Sequence, residues 1–438
     1  MAAMLLVGGS SAVADTDDAI EERILSCLNA MPYVDTHNHV PDPRGFEKAF
    51  KDSKCDPVWL LGSGTYVAEF TSGSSWDEVK KGIELYGNHP YYRVILEAFR
   101  DLYGLKPDEE LNDGNIKAVS EKMDAAHRGG NEKWYEEVLR KRAKLTHVIW
   151  LEGGNRPQSE MPAPWFHPAW NIDGAFVFLT GQDKKSKEWN IDAARKALGA
   201  KLKNLAEMEK VISSKIDDFF AKGGVAIKST AAYFRTLDFD DSVPRPKASR
   251  LFAKVARHQE LGEADQRALE DYLMTQVLTA VAKNKKPMQF HTGNQQNWNM
   301  LAMSSPVGLN RLLYTGKFWD VKFVVLHGGY PYTREAITMT RYYGNCYLDL
   351  AWMVLFSPDA AKSALAEALD IVPADRLTIG SDTANLEEMY GTIKFTRRVL
   401  AQVLAEKVEG GFMTEEVALR LAERIMYKNA MELYGLKD

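Results

Sequence analysis

Short apolar segments alternate with longer amphipathic segments along most of this 438-residue chain. Most of the short segments lack the regular alternation of a half-exposed strand, so we expect strands that are buried on both faces. Helical patterns follow the later strands, over 191–222, 247–283, 358–369, 386–407 and 414–434. This order predicts a (β/α)8 TIM barrel over residues 33–438 rather than an open doubly wound sheet. The eight predicted strands are 33–35, 147–151, 175–179, 225–228, 287–291, 322–327, 346–350 and 376–380.

Two long segments interrupt this alternation. Residues 41–146 separate the first two predicted strands and are charged and rich in tryptophan and tyrosine, which predicts a helical insertion. Because the insertion leaves the carboxyl end of strand one, we expect it to cap the face where barrel active sites lie. Residues 152–173 are rich in proline, glycine and tryptophan and predict a long structured loop.

Composition narrows the class of ligand. The net charge of −5 gives no electrostatic argument for nucleic acid. No apolar run is long enough to span a bilayer. The three cysteines, Cys27, Cys55 and Cys346, are odd in number and far apart, so they predict neither a disulfide framework nor a thiolate metal cluster. We therefore expect a small-molecule ligand.

Residues 1–32 predict an N-terminal segment that ends in a helix. An apolar stretch leads to Ala12, Val13 and Ala14, a small-x-small pattern typical of export cleavage sites, but no basic residue precedes it. Two interpretations stay open, the remnant of an export signal or a frayed N-terminus, and the second slightly favours a cytoplasmic protein. Barrels of this kind often pair, so a homo-oligomer is a further expectation.

Five polar residues stand where the predicted strands end. His37 and His39 follow strand one, His291 ends strand five, His327 ends strand six and Asp382 follows strand eight. Residues two apart on a strand share a side, so both early histidines can face inward. A parallel barrel brings strand ends together on one face. Three imidazoles and a carboxylate there predict a site for a divalent metal ion such as zinc rather than packing.

The segments QFHTG, LHGGYPYTREA, YLDLAW and IGSD resemble the amidohydrolase superfamily, most closely its amidohydrolase-related branch. The C-terminal half is similar to the amidohydrolase-like domain that is fused to some glutamine-synthetase-type proteins. The resemblance implies that His37, His39, His291 and Asp382 bind the metal and that His327 faces the substrate. The resemblance also implies one ion per chain in preference to two. The donor types favour zinc, with manganese as the alternative.

Lys228 ends the fourth predicted strand, where an unpaired ammonium is costly to bury. In binuclear members of the resembled superfamily, a lysine at this place is carboxylated and bridges two metals. Two other interpretations stay open. The ammonium can pair with a substrate carboxylate, or the stem can pack while the head reaches solvent.

Three further residues are candidate substrate contacts. The guanidinium fork of Arg235 suits an anionic group, although a solvated arginine explains it as well. Trp298 follows the fifth strand and can line a pocket or pack in a loop. His167 lies in the proline- and tryptophan-rich predicted loop. Substrate choice is expected to depend on these segments.

The predicted function is metal-dependent hydrolysis of an amide, lactone or ester bond in a small polar, acidic substrate. A bound ion would lower the pKa of its water, Asp382 would act as general base, and His327 would help to stabilise charge on the carbonyl oxygen. A non-oxidative decarboxylase and a uronate-isomerase-like enzyme are alternatives on the same site. A non-catalytic binding protein is less favoured, because a drifted site would have lost a ligand.

Overall fold

The computed structural model describes residues 12–45, 50, 54–64, 73–182, 187–295 and 300–437. Eight parallel strands, hydrogen-bonded in chain order, form a nearly closed barrel, as the sequence predicts. The strands are β1 Tyr33–Asn38, β2 Leu145–Trp150, β3 Phe166–Asn171, β4 Ala226–Ser229, β5 Pro287–Phe290, β6 Lys322–Val325, β7 Cys346–Asp349 and β8 Leu377–Thr378.

The third strand is not where the apolar pattern placed it. Residues 175–179 were expected as the strand, but Asp173–Val177 forms a π-helical turn. The strand is instead Phe166–Asn171, inside the segment predicted as a loop, and it pairs with both β2 and β4. Its sequence FHPAWN mixes proline, histidine and asparagine with aromatic residues, so it does not present the apolar run typical of a buried strand. Parallel pairing with β2 and β4 stabilises this strand even though its sequence does not predict one.

Helices cover the outside of the barrel and the connection between β1 and β2. The sequence pattern predicts one helix over 191–222, but the first helix there ends at Leu198, because Gly199 adopts left-handed backbone (φ 61°). In chain order the helices are α1 Ala12–Ala30, α2 Pro57–Trp59, α3 Trp76–Tyr86, α4 Pro90–Tyr103, α5 Ile116–Arg128, α6 Asn131–Tyr135, α7 Ile191–Leu198, α8 Leu205–Ala221, α9 Arg245–Val255, α10 Glu263–Asn284, α11 Asn310–Tyr314, α12 Thr333–Tyr342, α13 Met353–Phe356, α14 Pro358–Ile371, α15 Leu386–Glu409, α16 Glu415–Glu423 and α17 Asn429–Tyr434.

The described part of the segment between β1 and β2 is largely helical and has its own apolar core. Helix α3 begins with a capping box between Ser75 and Glu78, and α4 begins with Pro90 and ends at the left-handed Gly104. A cluster of buried residues from α4 and α5 continues to Trp352 and neighbouring residues after β7. This segment is therefore packed against the carboxyl ends of the barrel strands.

Side chains close the seam between β8 and β1, where the ladder is incomplete. The Asp349 carboxylate accepts hydrogen bonds from Thr36 Oγ1 at 2.5 Å and from Thr378 Oγ1 at 2.7 Å, which joins β7 to both strands. Just beyond the strand ends, the backbone N–H of Asp382 donates to the carbonyl oxygen of His37 at 2.8 Å. The closure brings the first and last predicted site residues together.

The predicted export signal falls mostly on residues 1–11, which lie outside the described residues; Ala12 begins helix α1. Among the described helices, none combines the length and the apolar character that crossing a membrane requires.

Candidate metal centre

The carboxyl ends of the strands surround a cavity of about 480 Å³. Residues from β1 to β5 and from the segments after β7 and β8 form its walls. The lining residues are His37, His39, Leu151, Glu152, Asn171, Lys228, Thr230, Tyr233, His291, Trp352 and Asp382. The barrel thus collects four of the five predicted strand-end residues in one cavity, while His327 lies behind its wall.

His37, His39 and Asp382 form a group that can hold a metal ion. One ligand atom from each lies within 4.8 Å of the others. The Asp382 Oδ1 atom is 3.7 Å from Nε2 of His37 and 3.7 Å from Nε2 of His39. Ligand bonds to zinc are about 2.0–2.2 Å long, so donor atoms spaced in this way can share one ion.

Hydrogen bonds at the Nδ1 atoms of His37 and His39 leave their Nε2 atoms available to bind a metal ion. His37 Nδ1 lies 2.9 Å from Oε1 of the buried Gln289, whose amide nitrogen donates to the Thr36 carbonyl oxygen, so the imidazole Nδ1–H donates. His39 Nδ1 lies 2.9 Å from the Glu152 carboxylate. With both protons on Nδ1, both Nε2 lone pairs face Asp382. A carboxylate or carbonyl partner behind a ligand histidine is the usual outer sphere of a metal site, so the donor set fits a divalent ion.

A buried network holds Asp382 in place. Asp35 accepts hydrogen bonds from the backbone N–H groups of His37 and Ser381 and from the Ser381 hydroxyl. Burial raises the pKa of Asp35 to about 7, and these hydrogen bonds oppose the rise. Asp382 itself has left-handed backbone, with φ 51°. Since such geometry is uncommon outside glycine and asparagine-like residues, the surrounding contacts are what keep the carboxylate directed into the cavity.

His291 and His327 form a linear chain of contacts. His291 Nε2 lies 2.8 Å from the carbonyl oxygen of Asn294, and its Nδ1 lies 2.9 Å from His327 Nε2. His327 Nδ1 in turn lies 3.1 Å from the carbonyl oxygen of Ala351. Three contacts need three protons, whereas two neutral imidazoles carry two. Burial lowers the pKa of both rings, to about 4 for His327, so the neutral pair is favoured and one contact lacks a hydrogen bond.

These contacts between His291 and His327 change the predicted roles of both histidines. His291 lines the cavity but is not in the group of His37, His39 and Asp382, and its Nε2 would have to leave the Asn294 carbonyl to become a ligand. His327 is 1% exposed and does not line the cavity. Its Nδ1 lies 3.6 Å from Asp382 Oδ2, so it contacts the site residues from behind.

Lys228 is buried in the cavity wall with only 2% exposure, which contradicts the interpretation of a lysine head that reaches solvent. Its Nζ lies 3.4 Å from His37 Nε2. Among the described residues, no carboxylate forms an ion pair with it. Burial lowers its pKa to about 7, against the opposing effects of Asp382, Asp173 and Asp349. The side chain can therefore present either an ammonium or a neutral amine to the cavity near neutral pH.

Arg235 does not face the cavity, contrary to its predicted role as an anchor for an anionic substrate. Its guanidinium is buried and pairs with Glu270 at 3.1 Å and Asp271 at 2.6 Å, both on α10. It also lies over the ring of Phe239, 4.4 Å from the centroid. The fork that suited a substrate carboxylate is already occupied by two carboxylates of the protein.

The other two predicted substrate contacts lie elsewhere. His167 is the second residue of β3 and therefore lies near the opposite end of the barrel from the metal-ligand group. Its ring stacks on His147 at 5.1 Å, beside a different cavity. Trp298 falls outside the described residues.

Several site residues had no clear sequence signal. Gln289 and Glu152 orient the two ligand histidines, and Tyr233 lies 4.6 Å from the His291 ring. Trp352 packs 5.5 Å from the His327 ring with left-handed backbone, φ 70°. Gln289 was detectable in principle, because a glutamine in the apolar strand PMQF needs a buried partner. The remaining contacts depend on which loops meet above the barrel.

Comparison with known proteins agrees with this fold. Residues 237–436 match the family model for amidohydrolases. Over 225 residues the chain is 33% identical to protein fluG of Emericella nidulans. The aligned region covers 49% of this chain but only 26% of that relative. The chain therefore spans about a quarter of the length of this relative. The predicted resemblance to the amidohydrolases is thus confirmed over residues 237–436.

Solved structures extend the similarity to the whole barrel. A uronate isomerase from Thermotoga maritima superimposes with a TM-score of 0.77 at 16% identity and covers 95% of this chain and 97% of its own. A proposed metal-dependent hydrolase from Lactobacillus casei has a TM-score of 0.65 at 17% identity, with 94% and 97% coverage. Identities this low establish the fold alone.

Proposed function

We propose that this protein is a metal-dependent hydrolase that cleaves an amide, lactone or ester bond in a small, polar and acidic substrate. The observation that carries the proposal is the group formed by His37, His39 and Asp382 beside the buried Lys228 in one cavity. Such a group at the carboxyl ends of barrel strands is where enzymes of this fold perform chemistry.

The metal would be held by Nε2 of His37, Nε2 of His39 and the Asp382 carboxylate, with zinc favoured over manganese. A bound divalent ion supplies a water of lowered pKa and polarises a carbonyl. We favour one ion per chain, because the donor group has three members and His291 is engaged with Asn294 and His327.

The chain's own residues supply the remaining functions. Asp382 has one carboxylate oxygen toward the two ligand histidines and the other toward His327, so it can take up a proton and pass it to a leaving group. Lys228 in its ammonium form would bind an acidic group of the substrate. Trp352 and Leu151 add apolar walls that limit access of bulk water. We assign His327 the role of positioning Asp382 and His291.

A second candidate is the isomerisation of a sugar acid. The observation that favours it is the polar wall of the cavity, where Asn171, Thr230 and Tyr233 can bind hydroxyl groups beside Lys228. The fold of the uronate isomerase from Thermotoga maritima is consistent with this alternative. Non-oxidative decarboxylation remains a third use of the same donor set.

Two measurements test these proposals in order. The first is metal content per chain, on protein purified without chelators or a metal-affinity tag; about one zinc or manganese ion is expected, and protein that neither contains nor takes up such ions would contradict the proposal. The second is incubation of the metal-loaded protein with lactones, amides, esters, aromatic acids and uronates. Mass spectrometry separates the three reactions, because hydrolysis adds water, decarboxylation loses carbon dioxide, and isomerisation leaves the mass unchanged.

Replacement of Asp382 tests its role as the proton acceptor. Asp382→Asn should keep the fold, since asparagine tolerates the left-handed backbone at this position. We expect turnover to fall by at least ~100-fold, the usual effect of removing a general base. The control is His258→Asn, an exposed residue that also has positive φ. Near-normal turnover in the Asp382 variant with the control unchanged would remove this role.

A further inference from the structure

A second cavity of about 430 Å³ lies at the same end of the barrel as the metal-ligand group. Its walls come from the segment after β1, from α2, α5 and α6 in the insertion, and from the start of α15. Pro41 and Gly45 lie at its exposed side, and Cys55, Tyr135 and Leu386 form its buried floor. We call it the aromatic cavity.

Apolar surface makes up most of its walls, and Phe50, Trp59 and Tyr135 contribute aromatic rings to it. The rings of Phe50 and Trp59 meet edge to face with centroids 4.5 Å apart, and Tyr135 is 5% exposed. The polar groups in the wall are bonded to one another. His127 Nε2 lies 2.7 Å from Glu387 Oε1, and its Nδ1 lies 2.7 Å from Asn131 Oδ1. Binding of a small molecule there would thus be favoured mainly by burial of its apolar surface and by contacts between aromatic rings.

The aromatic cavity is close to the metal-ligand group along two stretches of backbone. Pro41 is two residues beyond His39, and Asn385 is three residues beyond Asp382. A fully extended chain spans about 3.5 Å per residue, so the paired Cα atoms are at most about 7 Å and about 11 Å apart. Residues that line the two cavities are therefore close neighbours along the backbone, and the side chain of His39 and the residue Pro41 are both exposed at the rim between them.

We propose that the aromatic cavity binds an uncharged aromatic group of the same substrate whose reacting carbonyl lies at His37, His39 and Asp382. This inference rests on the proposed hydrolase function and narrows its substrate to an acidic molecule with an aryl group on the far side of the scissile bond from Lys228. A cavity of about 150 Å³ already holds benzene, so the aromatic cavity accepts a substituted ring or a fused pair of rings. A charged group is disfavoured, because Asp42 is paired with Arg44 and Glu387 with His127.

Gly45 offers a way to block the aromatic cavity with little disturbance. It lines the cavity, and a Cβ added there meets no atom within 4 Å. Gly45→Trp therefore places an indole at the exposed side of the cavity, while Gly45→Ala is the matched control. Thermal unfolding verifies that both variants fold. If Gly45→Trp does not fold, Trp59→Leu removes one aromatic wall and serves as the second variant.

The probes are acetohydroxamate and 4-phenylbutanohydroxamate, since hydroxamates bind divalent metals without requiring turnover. Titration calorimetry on the full-length, zinc-loaded protein measures both affinities. We expect the aromatic probe to bind at least tenfold more tightly than acetohydroxamate to the wild type and to Gly45→Ala. In Gly45→Trp this advantage should shrink to less than twofold, with acetohydroxamate affinity unchanged.

Other results overturn the inference in distinguishable ways. Equal affinity of both probes for the wild type would remove the aromatic subsite and leave the metal centre standing. Failure of both hydroxamates to bind would remove the metal centre and the inference with it. Free indole is the third probe: if a crystal structure places it in the aromatic cavity while the aromatic hydroxamate shows no advantage, the cavity serves a separate ligand.

Discussion

Two pairs of histidines lie near opposite ends of the barrel, and only one pair belongs to the candidate metal centre. The ring centroids of His37 and His39 are 5.3 Å apart, and those of His147 and His167 are 5.1 Å apart. The cavity beside the second pair is the larger, about 1220 Å³ against about 480 Å³. Neither the spacing of the rings nor the size of the cavity distinguishes the two ends.

The difference lies in what surrounds the rings. The planes of His37 and His39 are nearly perpendicular, at 79°, and their Nε2 atoms converge on Asp382. His147 and His167 stack at 25°, and within the described part of the chain they join no group of three potential ligands. Convergence on a carboxylate, with partners behind each ring, is therefore what makes His37 and His39 the candidate metal ligands.

The same contrast separates two buried cations. Lys228 lines the cavity of the candidate metal centre with no ion pair to a described carboxylate, whereas Arg235 is neutralised by Glu270 and Asp271. A cation that already forms ion pairs with buried carboxylates is not available to a ligand, whereas a buried cation without such an ion pair is.

The largest expected effect comes from removing one ligand histidine. Either His37→Asn or His39→Asn should lower metal affinity by more than ~100-fold, because even outer partners of ligands contribute 10–100-fold. The matched control at the other end of the barrel is His167→Gln, which should retain the metal. Metal content after dialysis against a weak chelator is the measurement. Loss of metal from the His167 variant would break the comparison between the two ends.

Arg235→Gln should destabilise the protein by about 3–5 kcal/mol, the usual cost of leaving a buried partner charge uncompensated. Burial raises the pKa of both Glu270 and Asp271, and the Arg235 charge opposes that rise. Arg334 pairs with Glu367 on the surface, so Arg334→Gln should cost no more than about 1 kcal/mol. Chemical denaturation compares the two variants. A raised KM with unchanged stability in the Arg235 variant would instead favour its predicted substrate role.

Glu152→Gln tests whether the carboxylate that contacts His39 Nδ1 contributes to metal affinity. The Glu152 carboxylate faces His39 Nδ1 at 2.9 Å, and this hydrogen bond lowers the pKa of the carboxyl group. A neutral amide should hold the ring less firmly and reduce metal affinity by about 10–100-fold. Glu160→Gln, an exposed residue nearby, is the control. Equal metal affinity in both variants would show that Glu152 does not position His39.

The smallest effect concerns the pH dependence of stability at the second histidine pair. Burial lowers the pKa of His167 from 6.5 to about 4, and its Nε2 has no hydrogen-bond partner among the described residues. The unfolded chain therefore binds more protons, and the stability that neutral His167 contributes is complete above pH 6.5 and falls toward pH 4. The difference in unfolding free energy between wild type and His167→Gln should change by up to about 1.4 kcal/mol per pH unit in that window. If the unfolding free energies of wild type and His167→Gln change with pH in the same way, then His167 is not held in its neutral form.

Much of the barrel was predictable because its strands are short, apolar and separated by helical patterns. Seven of the eight predicted strands overlap those in the structure, but β3 does not, because FHPAWN carries no apolar run. The clustering of His37, His39 and Asp382 followed from the rule that strand ends of a parallel barrel meet on one face. The roles of Arg235 and His167 could not be predicted, since they depend on neighbours distant in sequence.

The sequence by itself determined the fold class, the family resemblance and the residue types of the site, because those depend on local pattern and on positions relative to strand ends. Only the tertiary structure decided that Gln289 and Glu152 lie behind the candidate ligands His37 and His39, that His327 lies behind the cavity wall, and that Arg235 is already neutralised. The physical reason is that protonation, desolvation and charge compensation are properties of pairs of groups. Their partners meet only when the barrel closes.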